Sequence, residues 1–191
     1  MEGTELIGDA LGRIQRTLQR ILPGLTIEQL AYRPSEISNS IAWLSWHLTR
    51  VQDQHISDLL DREQEWISGG WYEKFGLRAD PRNTGFGHSP SDVSAIRADG
   101  EILQGYYDAV YSRSLELLNR LNPDDLEREI NEPQYEPLPT IGVRLVSIVN
   151  DNTQHVGQAA YLRGLGQGRA WGMFKSRSIS LRIFGRSEHG S

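Results

Sequence analysis

The chain has 191 residues, enough for one domain with a substantial core. Charged residues make up 24% and hydrophobic ones 38%, a balance that excludes a disordered chain, and no apolar run approaches the roughly 20 residues of a membrane span. The net charge of −5 without a long basic block argues against a nucleic-acid partner, and the absence of cysteine removes disulfides, thiolate ligands and a cysteine nucleophile.

Ile7, Leu11, Ile14, Leu18 and Ile21 recur at the spacing of one helix face and predict a first helix, broken at Pro23-Gly24. A second helix opens at Asn39 as N-cap and runs to about Leu60, with Ile41, Leu44, Leu48, Val51 and Leu59 inward. From Asp61 to about Asp99 glycine, proline, aromatics and charges follow no period. This reads as a long excursion, in which Ser91 or Asp92 opens a short turn of helix. A third helix carries Leu103, Tyr107, Val110, Leu117 and Leu121 and ends at Asn122-Pro123. The segment NEPQYEPLPT is a proline-rich crossover, too poor in donors for a helix interior. Thr140 caps a fourth helix whose inward stripe is Ile141, Leu145, Ile148, Ala159 and Leu162, with Gly164 and Gly166 as its stop. No strand pair competes and no repeat is visible. The fold class is therefore all-α, a four-helix bundle with two long crossover loops, over residues 1–168. Residues 169–191, with the patch SISLRIF, are expected to pack on the bundle or to be partly disordered. The first residues, MEGTELIGDA, lack the basic start and apolar stretch of a signal peptide, so a cytoplasmic location is expected.

Chemistry concentrates on the fourth helix. Asp151 and His155 are one turn apart, about 40° in angle and about 6 Å along the axis, like the histidines of a helical HExxH zinc site. The inward stripe passes through Ile148, Asn152, His155 and Ala159, so His155 faces the core with Asp151 at its edge. Two polar groups there need partners, and a metal ion can serve both. A third ligand has to come from another helix. His47 has apolar neighbours at Leu44 and Val51; His55 competes, but lies about 12 Å further along the same helix, so only one of the two can join. His88, in TGFGHSP, is a further ligand or lining group. An Asp-x-x-x-His pair alone is a weak signal, often a surface hydrogen bond. Trp43 and Trp46 read most simply as packing, and Asp61, Glu63 and Glu65 as a solvated face. There is no Walker loop, no GxGxxG and no serine elbow.

At these residues the chain resembles the DinB-like superfamily, which includes the mycothiol-dependent maleylpyruvate isomerase N-terminal domains and the bacillithiol and mycothiol S-transferases. SIAWLSWHLTRVQDQH looks like the family's second-helix motif, which implies His47 as a metal ligand. NDNTQHVGQAAYLRG looks like its last-helix motif, which implies Asp151 and His155 as the other two. Most members carry histidine at the position of Asp151, and the mycothiol-linked branch often glutamate. Aspartate keeps the charge and a ligating oxygen on a stem one methylene shorter. The likeness covers roughly residues 5–166 and implies an up-down-down-up bundle, with the metal near one end in a pocket roofed by the long loops.

Two histidines and a carboxylate with an open position suit a divalent metal, zinc first, with nickel, iron or manganese as alternatives. The function so implied is a transferase in which the metal activates a low-molecular-weight thiol, mycothiol or bacillithiol, toward an electrophilic substrate. Arg50, Tyr161, Arg163 or His88 are candidates to bind thiol or substrate. A metal-dependent hydrolase, with His88 or Asp53 as its base, is the alternative, and a non-catalytic stress-related bundle is a third reading. A homodimer through the bundle faces would be unsurprising.

Overall fold

The computed structural model describes residues 1–167. Helix α1, Gly3–Ile21, buries Leu11, Ile14, Leu18 and Ile21, the stripe its periodicity predicts, with Ile7 packed at the margin. The chain turns at Pro23-Gly24, and α2, Ile27–Leu30, adds a single turn capped by the Thr26 side chain. Four residues are too few to show a period, so α2 has no signature in the sequence.

Helix α3, Ile41–Leu60, is the central element. Every residue from Ile41 to Arg50 is buried. Its N-cap is Ser40, whose hydroxyl accepts the Trp43 N–H at 3.1 Å, one residue beyond the cap expected at Asn39. The excursion that follows holds α4, Glu65–Ser68, α5, Trp71–Lys74, and α6, Pro90–Ala95. Helix α6 is capped by Ser89, with proline at its first turn, so it starts just before the Ser91 and Asp92 named from sequence.

Two buried charges on α3 pin this excursion. Asp53 accepts the Glu65 and Trp66 N–H groups at 2.9 and 2.8 Å and thereby caps α4 from across the fold. Arg50 donates to the Asn83 and Pro81 carbonyls at 3.1 and 3.0 Å and lies over the Trp66 ring. Arg50 and Asp53 are both fully buried, 3.5 Å apart, with the Tyr106 hydroxyl donating to Asp53 at 2.7 Å. The segment therefore has no periodicity yet a fixed path.

Helix α7, Gly100–Leu118, starts at the Asp99 cap and closes at Asn119, so Leu121 packs just past its end. Asn122 caps a 3-10 turn over Pro123–Glu127. The crossover then returns to α8, Ile141–Gln167, where the Thr140 hydroxyl accepts the Val143 N–H at 3.3 Å, as expected of its cap. Helix α8 runs through Gly164 and Gly166, where the sequence suggests a stop. A helical glycine costs only about 1 kcal/mol, and Arg163 ties this turn to the Ile21 and Pro23 carbonyls.

Helix α3 packs on α7 and α8, and α1 packs on the same two, so α7 and α8 each lie between α1 and α3. Among the described residues there is no strand, only an isolated bridge between Glu129 and Thr140, and the fold is all-α. Among them too, no helix is long and apolar enough to cross a membrane. The expectation for residues 169–191 lies outside the described residues.

Candidate metal centre

The close packing of α3 on α8 brings His47 opposite Asp151 and His155. One ligand atom from each of the three lies within 4.8 Å of the others, a spacing that one ion can span. His155 Nε2 is 3.4 Å from Asp151 Oδ1, and the His47 and His155 rings meet edge to face with centroids 4.8 Å apart. His47 is buried, and the other two are half-buried at the edge of the bundle.

The outer hydrogen bonds set which ring nitrogens face inward. His47 Nδ1 lies 2.6 Å from the Thr84 carbonyl oxygen, which can only accept, so Nδ1 carries the proton and Nε2 keeps its lone pair. His155 Nδ1 donates to Gln158 Oε1 at 3.1 Å, which leaves Nε2 toward Asp151. Asp151 Oδ2 is buried without any hydrogen-bond partner. A buried acceptor left unpaired is costly by about 1–3 kcal/mol, and more when charged. Two imidazole lone pairs and a carboxylate thus converge on a space into which no protein group donates. Such a donor set fits a divalent cation of the zinc type.

Protons compete for the same space. Burial disfavours the charged form of His155, but hydrogen bonds to Asp151 and Gln158, with the Asp151 charge, hold its pKa above the usual histidine value. Burial chiefly pushes His47 below that value, aided by His155 and opposed by the Thr84 carbonyl and Asp151.

The other residues singled out from sequence fall elsewhere. His88 accepts the Trp43 indole N–H at 3.1 Å and bonds Asn83 Oδ1 at 2.8 Å, so both its ring nitrogens are engaged; it supports Trp43 and is no ligand. Trp43 in turn stacks on His47, centroids 4.6 Å apart and nearly parallel. The tryptophan cluster is packing, as it reads from sequence, but packing laid directly on a site residue. Arg50 and Asp53 are consumed by the excursion and do not reach the site. Tyr161 is exposed on α8 beyond His155, and Arg163 is held by the Ile21 and Pro23 carbonyls. His55 stands apart from the triad but lines the same cleft, where burial and Arg144 push its pKa down to about 4. The Thr84 carbonyl and Gln158 were not legible in the sequence. A backbone oxygen has no residue type to mark it, and Gln158 reads only as an exposed helix position.

His47 and Asp151 open onto a cleft of about 410 Å³ walled by Val51 and His55 of α3, by Phe86 of the excursion and by Tyr135 of the crossover. A larger cavity, about 600 Å³, lies around Leu25, Tyr32, Ile41 and Leu162 and includes none of the three. Converging donors, not volume, mark the chemistry, so the smaller cleft is the functional candidate.

Fold and site together define an all-helical bundle protein with a His-Asp-His cluster where two helices face each other. The chain belongs to the DinB superfamily, whose family model matches residues 10–159. It is similar to a conserved protein from Enterococcus faecalis of known crystal structure, with TM-score 0.81 and 29% sequence identity, covering 88% of this chain and 99% of that one. No curated protein matches it.

Proposed function

We propose that the protein is a metal-dependent S-transferase in which a divalent ion, zinc first, is held by His47, Asp151 and His155 and a low-molecular-weight thiol is the nucleophile. The observation that carries this reading is the convergence of His47, Asp151 and His155, with Asp151 Oδ2 buried and unpartnered, beside a cleft that His47 and Asp151 line. When bound, the ion supplies positive charge that lowers the pKa of a thiol or water beside it. A chain without cysteine needs an external thiol, for which mycothiol or bacillithiol is the proposed donor. The protein's own part is to present two imidazole nitrogens and the Asp151 carboxylate toward one space and to receive the electrophilic substrate along the wall formed by Val51, His55 and Phe86.

A hydrolase is the second reading. It needs a base beside a bound water, and the two candidates for that role, Asp53 and His88, are fully hydrogen-bonded elsewhere. That disfavours water chemistry without touching the ligand set.

The test is metal analysis of protein purified without an immobilised-metal column, followed by incubation with bacillithiol or mycothiol and a generic electrophile. The reading expects one bound ion in the wild type, its loss in His47→Ala and His155→Ala, and a thioether conjugate formed by the wild type alone. Unchanged metal content in both variants, or no conjugate with either thiol, overturns it.

A further inference from the structure

The Thr84–Gly85 step is where the excursion comes closest to the candidate metal centre. Gly85 adopts φ +97°, a left-handed conformation that disfavours other residues. A Cβ built there would lie 2.9 Å from a ring carbon of Trp46, 3.0 Å from His47 Nδ1 and 3.1 Å from a ring carbon of Trp43. All three rings are buried, so none can swing away. Gly87 is the natural contrast: its φ is also positive, at +76°, but a Cβ there meets nothing within 4 Å.

The strand of chain around this step is tied down on both sides. Before it, Arg50 of α3 holds the Pro81 and Asn83 carbonyls. After it, His88 bonds back to Asn83 and takes the Trp43 indole N–H, while Trp43 lies flat on His47. The His47 ring is thus gripped between an indole face and a carbonyl oxygen supplied by a segment that is itself anchored to the same helix.

We infer that Thr84 and Gly85 are positioning residues of the metal centre. The Thr84 carbonyl fixes His47 in the tautomer protonated on Nδ1, and glycine at 85 is what allows the backbone to come that close. Ring orientation and tautomer are set before any ion arrives, so Nε2 is aimed at the space shared with Asp151 and His155. A histidine ligand whose other nitrogen is oriented by a carbonyl is more basic and loses less freedom on binding. The inference rests on His47 being a metal ligand, but not on thiol chemistry.

The test uses the full chain and zinc ions alone. In metal-free, ¹⁵N-histidine-labelled protein at pH 8, two-bond ¹H–¹⁵N correlation should place the His47 proton on Nδ1. Gly85→Ala should lose that signature and weaken zinc binding, measured by competition with a chromophoric chelator, by about 10–100-fold. Gly87→Ala, which loses the same backbone freedom without a clash, should bind zinc as the wild type does. A wild-type His47 protonated on Nε2, or a folded Gly85→Ala with wild-type zinc affinity, overturns the inference. Should Gly85→Ala fail to fold, the wild-type tautomer decides alone. Zinc bound with the expected tautomer but no thiol conjugate would sink the S-transferase reading and leave this one standing.

Discussion

Asp151 Oδ1 and His155 Nε2 face each other at 3.4 Å across one turn of α8, and the second carboxylate oxygen of Asp151 is buried with no partner at all. Hydrogen bonds to Asp151 and Gln158 and the Asp151 charge, against burial, hold the His155 pKa above its usual value. A metal held by His155 would have to displace a proton from it below that pKa. Zinc affinity should fall as pH drops below the raised His155 pKa, by about tenfold per pH unit once one proton must be displaced. Chelator competition between pH 5.5 and 8.5 measures this. An affinity flat across that range would remove His155 from the ligand set.

Asp151→Asn replaces the charged ligand by a neutral amide of the same shape. Zinc affinity should drop by more than the about 10–100-fold that loss of an outer partner costs. The readout is thermal: saturating zinc at about 100 times its Kd adds roughly 2.7 kcal/mol of stability to a protein that binds it. The wild type should show a clear rise in Tm on adding zinc, and Asp151→Asn little or none at the same concentration. Equal rises in the two proteins would place the ion elsewhere.

Much of this arrangement was legible in the sequence, for a physical reason. Helices α1, α7 and α8 each bury one stripe, so Leu11, Val110 and Leu145 announce themselves by period, whereas α3 is buried on every side from Ile41 to Arg50. The same periodicity puts Asp151 and His155 on one face. Boundaries were less legible because neighbouring residues are chemically interchangeable as caps: Ser40 serves where Asn39 would, and Ser89 where Ser91 would. Gly164 and Gly166 do not end α8, because tertiary contacts from Arg163 outweigh a weak local preference. Arg50, a candidate to bind thiol or substrate, and Asp53, a candidate base, spend their hydrogen bonds elsewhere. Their partners are backbone groups of a segment without periodicity, and nothing local in the sequence encodes that pairing.

Arg50 and Asp53 predict a stability effect separate from metal binding. Both are fully buried, and the Asp53 carboxylate is met by Arg50, by the Tyr106 hydroxyl and by two backbone N–H groups. Arg50→Ala leaves that carboxylate without its cation and frees the carbonyls of the excursion. Urea unfolding should show a loss of about 3–5 kcal/mol, as for one partner removed from a buried ion pair. Arg50→Lys should restore only part of it, because a single ammonium cannot span the Asn83 and Pro81 carbonyls and the Gln64 side chain together. Full recovery in the lysine variant would mean that charge alone, not the forked geometry, holds the segment.

His55 and His155 should bend acid stability in opposite directions. The folded pKa of His55 is pushed down to about 4 by burial and by Arg144, against Asp151. Between the unfolded value of about 6.5 and about 4, the unfolded chain binds a proton that the folded one refuses, so stability falls with pH through that window. His155 has a raised folded pKa, so its contribution is fully present below about 6.5 and is lost as pH rises through the folded value. In metal-free protein, His55→Gln should therefore flatten the loss of stability between pH 6.5 and 4, and His155→Gln should remove a decline above pH 6.5. Urea midpoints at half-unit pH steps give both slopes. The His55→Gln curve running parallel to the wild type through the acid window would show that the His55 imidazole charges freely in the folded cleft.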